Sequence, residues 1–272
     1  MLQINIKKIL KERKAPIPGF VASLLEKIIR QDELNATLRA TDPAVGSEFA
    51  ERVYAHFDLS LEVEGLENIP DSGRFVFASN HPLGGLDGIG LIKVLGARYG
   101  DDNLRFLVND MLMHVEPLRP VFLPINKYGA QGRAAARAIN EAYASGRQIL
   151  VFPAGLVSRL QPGGEIADLK WQKSFVAKAL EYGRDIIPVT FVGLNRARFY
   201  RTAKWRRKLG LKVNIEQALL PSELVAARGK SFKIIFHRPI PHSELQRLRQ
   251  EGKSLEELAN YVRQFVYSAN SH

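Results

Sequence analysis

A histidine and an aspartate joined by a glycine-containing loop are the residues of this sequence best suited to catalysis. His81 follows an apolar run at 75–79 that is typical of a buried strand, and Asp87 comes six residues after the histidine. A neutral imidazole can remove the proton of a hydroxyl group that attacks a carbonyl carbon. A carboxylate on its other ring nitrogen holds the required tautomer. Gly84 and Gly85 would let the loop bring the pair together, and their amides could bind an oxyanion.

The same pair also has an ordinary structural interpretation. Asp87 is a good N-cap for the helix predicted to follow it, and a histidine after a strand is often a hydrogen-bonded structural residue. The sequence contains no cysteine and no nucleophile-elbow motif, and its histidines lack metal-ligand spacing. We therefore expect no metal site and no covalent enzyme intermediate, whichever interpretation of the pair holds.

Strand-like and helix-like segments alternate from residue 59 onward, which predicts an α/β fold with a mixed, mainly parallel sheet flanked by helices. We expect an N-terminal helical appendage over 1–57, which either lies in a membrane interface or packs on the α/β domain over 58–272. The predicted strands are Leu59–Glu64, Phe75–Ser79, Arg105–Val108, Val121–Ile125, Gln148–Phe152, Ile186–Val192, Lys212–Ile215 and Phe232–His237. The predicted helices include Gly88–Tyr99, Gly132–Ser145, Leu169–Tyr182 and Ser254–Tyr267.

The segments that follow the predicted strands are expected to form the substrate site. In open α/β sheets the ligand crevice lies outside the carboxyl ends of the strands. Besides the catalytic pair and its two glycines, the candidate substrate-binding residues in these segments are Asn80, Lys127, Ala154, Gly155, Ser158 and Arg159.

A net charge of +11 at pH 7 indicates an anionic partner, which could be a membrane, an acidic protein or a nucleic acid. No stretch of the sequence is apolar enough to span a bilayer, and the N-terminus lacks a signal-peptide pattern. We expect a cytoplasmic protein, peripheral on the inner face of the cell membrane. A cationic run without acids includes the candidate membrane-facing residues Arg196, Arg198, Arg201, Lys204, Trp205, Arg206 and Arg207. Acyl carrier protein or RNA could bind the same run.

Four sequence blocks in order resemble the glycerolipid acyltransferase superfamily, whose bacterial lysophosphatidic acid acyltransferases carry an Asn-His followed by an Asp. The blocks are Asn80-His81 with Asp87, Val121–Lys127, Phe152–Gly155 with Ser158 and Arg159, and Ile187–Val189. The resemblance implies that His81 is the general base and Asp87 its orienting partner. It also implies an acyl thioester of acyl carrier protein or coenzyme A as co-substrate, without a bound cofactor.

Two departures from the usual blocks suggest the acceptor. The loop between His81 and Asp87 has one residue more than the usual block, and Ala154 stands where the family carries a glutamate associated with a phosphate-bearing acceptor. The sequences of these two blocks are similar to those of the family branch that O-acylates N-(3-hydroxyacyl) amino-acid lipids such as glycine or ornithine lipid. Arg159 and Lys127 are then expected to bind the carboxylate of the acceptor or a phosphate of the donor. The alternatives are a 1-acyl-glycerol-3-phosphate acyltransferase and a non-catalytic basic module that binds membrane or RNA.

Overall fold

The computed structural model describes residues 3–12, 18–125, 129–211 and 214–268. The strands are β1 Ser60–Glu64, β2 Phe75–Ser79, β3 Leu104–Asn109, β4 Phe122–Ile125, β5 Gln148–Val151, β6 Arg159–Leu160, β7 Ile166–Ala167, β8 Asp185–Val192 and β9 Ser231–Phe236. The helices are α1 Ile6–Glu12, α2 Gly19–Ile28, α3 Gln31–Thr41, α4 Gly46–His56, α5 Gly85–Tyr99, α6 Gly129–Ala144, α7 Ser174–Tyr182, α8 Ala197–Lys208, α9 Leu220–Ala226, α10 His242–Gln250 and α11 Leu255–Ser268. Short 3-10 helices include Asp110–His114 and Ile215–Leu219.

Seven strands form one sheet in the order β1-β9-β8-β2-β5-β3-β4, and β6 and β7 form a separate antiparallel pair. Within the large sheet every neighbouring pair is parallel except β8 with β9. β2 lies in the middle, and all five of its residues are buried. The predicted α/β fold with a mixed, mainly parallel sheet is confirmed.

The apolar residues of β2 alternate between two cores, because successive side chains of a strand point to opposite faces. Phe75 and Phe77 belong to the core that α4 and α5 cover. Val76 and Ala78 belong to the core on the other face, which α7, α10 and α11 cover. The sheet is therefore the middle layer of three, and a residue that follows β2 is held from both sides.

Helices α1 to α4 occupy the region predicted to be a helical appendage. α4 packs against α5 and contributes Phe49, Val53 and Tyr54 to the core on that face of the sheet. α2 instead contacts the 3-10 helix Ile215–Leu219 and leaves Phe20 exposed. The division of the chain into 1–57 and 58–272 stays a prediction.

Two predicted elements differ from the structure. The strand predicted over Lys212–Ile215 is wrong in its described part, because Asn214 is not in a strand and Ile215 begins a 3-10 helix. The tighter turn lets Glu216 point inward, where it is fully buried. The helix predicted from Leu169 begins instead at Ser174, since residues 169–172 form no regular secondary structure and Lys173 is in a turn.

Two buried side chains fix the amino end of β2, which is the end farther from His81. Gln148 accepts the N–H of Phe75 at 2.9 Å and donates to the carbonyl of Gly73 at 2.9 Å. Arg184, which is fully buried, donates to the carbonyl oxygens of residues 75, 142, 143, 145 and 147. Burial lowers the pKa of the Arg184 guanidinium to about 10.

Candidate active site

The loop between β2 and α5 carries His81 at the carboxyl end of the central strand. It is anchored to β8 by Asn80, whose side-chain amide accepts the N–H of Phe191 at 2.7 Å and donates to the carbonyl of Phe191 at 3.0 Å. Asn80 was predicted to bind substrate, but both ends of its amide are used on the backbone of β8. On the far side of the loop, Asn195 donates to the carbonyl of Pro82 at 3.0 Å.

His81 and Asp87 are brought together as the sequence predicted. Nδ1 of His81 lies 3.1 Å from each carboxylate oxygen of Asp87. The aspartate is fully buried and also accepts the N–H groups of Leu83 at 2.8 Å, Gly84 at 3.2 Å and Gly88 at 2.8 Å. These hydrogen bonds hold the carboxylate in place beside the imidazole. Because Nδ1 faces Asp87, Nε2 is the ring nitrogen that can take a hydroxyl proton.

An aromatic side chain fixes the plane of the imidazole. The rings of His81 and Phe152 are stacked, with centroids 3.9 Å apart and planes inclined by 18°. Phe106 packs edge-on against Phe152 at 5.2 Å. A Cβ atom at Gly88 would lie 3.0 Å from Phe106, so a side chain at that position of α5 would press on this aromatic layer. Sequence reasoning placed Phe152 in a motif but missed its contact with the imidazole.

Gly84 and Gly85, which were predicted to bind the oxyanion, and the substrate-binding candidate Gly155 have different surroundings. The N–H of Gly84 donates to Asp87, and the N–H of Gly155 donates to the carbonyl of Phe152 at 2.9 Å. Both amides are thus used within the protein. Gly85 is exposed and is the first residue of α5, where N–H groups have no partner within the helix.

The third sequence block lies directly against the loop that carries His81. The N–H of Ser158 donates to the carbonyl of His81 at 2.7 Å, and its hydroxyl donates to Asp168 at 2.6 Å. Ala154 is buried in the core under this block. Lys127, from the second block, lies outside the described residues.

Arg159 is buried in an ion cluster and does not face solvent. Its guanidinium donates to Glu216 from two nitrogens, at 3.0 and 3.2 Å, and lies 4.8 Å from the ring centroid of Phe199. Burial lowers the pKa of Arg159, and the charge of Glu216 opposes this shift. Sequence reasoning expected a headgroup ligand here, but the guanidinium is committed to a carboxylate 57 residues away.

Comparison with known proteins identifies the family to which the chain belongs. A family model described as Acyltransferase matches residues 8–271. The chain belongs to this acyltransferase family. It is 42% identical over 268 residues to a lyso-glycine lipid O-acyltransferase of Phocaeicola vulgatus, covering 97% of this chain and 94% of the relative. It is 40% identical over 269 residues to a lyso-glycine lipid O-acyltransferase of Bacteroides thetaiotaomicron, covering 97% and 96%.

A solved structure supports the fold of the acyltransferase. The 1-acyl-sn-glycerophosphate (LPA) acyltransferase PlsC from Thermotoga maritima matches with a TM-score of 0.51 and 18% identity, covering 97% of this chain and 86% of that one. The prediction that the chain is an acyltransferase rather than a non-catalytic module is confirmed by the family and the two relatives. In the described part of the chain, His, Asp and Glu side chains form no cluster suited to a metal ion.

The cationic run of the acyltransferase is partly neutralised by later acids, which corrects the sequence-based expectation of uncompensated charge. Arg196 and Arg198 pair with Glu223 at 3.1 and 2.9 Å, and Nε of Arg206 lies 2.9 Å from Glu216. The members that remain exposed on α8 include Arg201, Lys204, Trp205 and Arg207. Among the described residues, no helix is long and apolar enough to cross a membrane.

Proposed function

We propose that this acyltransferase transfers a fatty acyl chain from an acyl thioester to the hydroxyl group of an N-(3-hydroxyacyl) amino-acid lipid, with glycine as the amino acid. The observation that carries the proposal is the match of 40–42% identity, over nearly the whole chain, to two proteins named lyso-glycine lipid O-acyltransferase. The thioester is that of acyl carrier protein or coenzyme A, and no bound cofactor takes part.

The geometry around His81 supports a single direct transfer. Nε2 of His81 takes the proton of the acceptor hydroxyl while the hydroxyl oxygen attacks the thioester carbonyl carbon, and Asp87 stabilises the imidazolium that forms. The exposed N–H of Gly85 is the proposed donor to the oxyanion. When the tetrahedral intermediate collapses, the C–S bond breaks and the leaving thiolate takes the proton from His81. The products are the ester and the free thiol.

The third block supports an acceptor that carries a carboxylate rather than a phosphate. Ala154 supplies no polar group, and the buried guanidinium of Arg159 is already hydrogen-bonded to Glu216. A phosphate monoester carries nearly two negative charges, and burying ions without strong partners is costly. A glycine carboxylate carries one. Lys127 stays the proposed ligand of that carboxylate.

Acceptor choice is tested by direct competition. We expect lyso-glycine lipid to be acylated with at least a tenfold higher kcat/KM than lysophosphatidic acid, because kcat/KM measures discrimination between acceptors. One acyl thioester is supplied with both acceptors, and the two products are counted by lipid mass spectrometry. A tenfold preference for lysophosphatidic acid, which corresponds to about 1.4 kcal/mol, would show that our interpretation of Ala154 is wrong.

A peripheral position on an anionic membrane is the second part of the proposal. α8 and α2 both contact the 3-10 helix Ile215–Leu219, so the three elements adjoin. These elements and Leu209, which follows α8, expose large apolar side chains: the exposed fractions are 77% for Phe20, 56% for Leu24, 65% for Trp205, 64% for Leu209 and 46% for Ile215. Apolar and aromatic side chains beside basic residues are typical of interfacial helices. We call this group of residues the α2–α8 surface.

Charge reversal on α8 tests the membrane position. The triple variant R201E/K204E/R207E should bind phosphatidylglycerol vesicles about 100-fold more weakly, because each basic residue near an anionic surface contributes about 1 kcal/mol. Arg206 is left unchanged, because a glutamate there would face the buried Glu216. Sedimentation with vesicles is the measurement, and phosphatidylcholine vesicles show the charge dependence.

The matched control reverses three exposed cations away from α8, in the variant R238E/R249E/K253E. Its net charge equals that of the test variant, so a general effect of charge would weaken both equally. Equal binding by the two variants would exclude the α2–α8 surface as the docking site.

A further inference from the structure

A buried carboxylate connects the catalytic loop to the third block. Asp168 is 3% exposed, and its Oδ1 accepts both the backbone N–H of His81 at 3.2 Å and the hydroxyl of Ser158 at 2.6 Å. Its Oδ2 accepts the indole N–H of Trp171 at 2.9 Å. The N–H of Asp168 itself donates to the hydroxyl of Tyr267 at 2.8 Å, which fixes the aspartate to α11.

Both backbone polar groups of His81 are held by this network. The N–H of His81 donates to Asp168, and its carbonyl accepts the N–H of Ser158 at 2.7 Å. His81 lies beyond the last residue of β2, so the sheet ladder does not fix its backbone. Asp87 orients the ring of His81, whereas Asp168 acts on the main chain from which the ring projects.

We propose that Asp168 is a positioning residue, which holds the backbone of His81 so that Nε2 meets the acceptor hydroxyl. The proposal rests on the proposed function, since it assumes that His81 is the general base. A displacement of about 1 Å in a catalytic group can lower a rate about 100-fold. Replacement of Asp168 should therefore lower kcat more than it lowers substrate binding.

Burial raises the pKa of Asp168 above the usual value, and the hydrogen bonds from Ser158, Trp171 and His81 oppose this shift. The raised pKa means that the ionised carboxylate costs folding free energy at neutral pH. The ionised form suits the geometry, because a carboxylate can accept hydrogen bonds from all three donors at once. No neutral side chain of the same size can do so.

Asp168→Asn is the first test. The amide can still accept from His81 and Ser158 with its oxygen, but its NH₂ then faces the indole N–H of Trp171. We expect kcat to fall about 10- to 100-fold and KM for both substrates to change less than about twofold. Adding Trp171→Phe removes the opposing donor and should restore part of kcat. If the role were only structural, the second substitution in this core would lower the activity further.

Gln148→Leu is the matched control, because Gln148 is buried and holds the backbone of β2 at its amino end, whereas Asp168 acts beyond the carboxyl end of β2. Both variants are compared with the parent for melting temperature and kinetics. We expect Gln148→Leu to lose stability while keeping kcat within about twofold of the parent. Equal losses of kcat in the two variants would overturn the proposal.

His81→Ala is measured in parallel, so that the two levels of the proposal can be separated. A dead His81→Ala with a fully active Asp168→Asn would overturn the positioning role alone. An active His81→Ala would overturn the general-base mechanism and the positioning role with it. If Asp168→Asn does not fold, Ser158→Ala removes one hydrogen bond to the carboxylate and should still lower kcat about threefold or more. An unchanged kcat in that variant would overturn the proposal.

Discussion

Replacement of His81 by alanine is expected to lower kcat about 10²–10⁴-fold while leaving the melting temperature close to that of the parent. The rate falls because alanine lacks the imidazole that contacts Asp87 and Phe152 and that is proposed to remove the hydroxyl proton. This range is the usual contribution of a positioned general base. The fold should tolerate the change because His81 lies in a loop and its side chain is 17% exposed. Thioester consumption with saturating acceptor gives the rate, and thermal unfolding gives the stability.

His56→Ala is the control for this experiment. His56 is the last residue of α4, and its ring packs against Phe57. Loss of a histidine as such should not affect transfer, so His56→Ala should keep the parent rate. Retention of more than about a tenth of the parent kcat in His81→Ala would contradict the assigned role.

Asp87→Asn is expected to lower kcat at least about 100-fold and also to destabilise the protein by about 1–3 kcal/mol. The carboxylate accepts the backbone N–H groups of three residues of the loop and of α5 in addition to Nδ1 of His81. An amide in its place presents an NH₂ group to some of these donors. The imidazole loses its partner for the charged state, and at least one buried N–H loses its acceptor.

The two effects are separated by measuring kcat well below the melting temperature of the variant. Asp71→Asn is the control, because Asp71 is 97% exposed and only pairs with Arg98 on the surface. That pair should contribute little to stability and nothing to the rate. An Asp87→Asn enzyme with a rate within threefold of the parent would leave the aspartate a purely structural role.

Sequence reasoning could predict the sheet and the contact between His81 and Asp87 because both are encoded locally. β2 is an uninterrupted apolar run, and His81 and Asp87 follow it within one loop. The rule that ligands bind beyond the carboxyl ends of strands then places the pair without knowledge of the strand order. The third block was also located correctly next to this loop, since Ser158 contacts His81.

The rest depends on contacts between distant residues, for which no local pattern exists. Arg159 looked free because its partner Glu216 lies in another segment, and the same glutamate also pairs with Arg206. In the described part of the strand predicted over Lys212–Ile215, Asn214 and Ile215 lead into a 3-10 helix that carries the buried Glu216. Asp168 gave no sign of its contact with His81, which is 87 residues away.

The position of β1 at the edge of the sheet determines when this enzyme can be completed during synthesis. β1 pairs with β9, and Ser60 and Ser231, which face each other in this pair, are 171 residues apart. At about 5–20 residues per second, a ribosome needs about 9–34 s to make the chain between them. During that time Leu61 and Val63, which pack on the core, lack the neighbouring strand β9. The loop after β2 is therefore made early, but the edge strand β1 gains its neighbour only after β9 has been made.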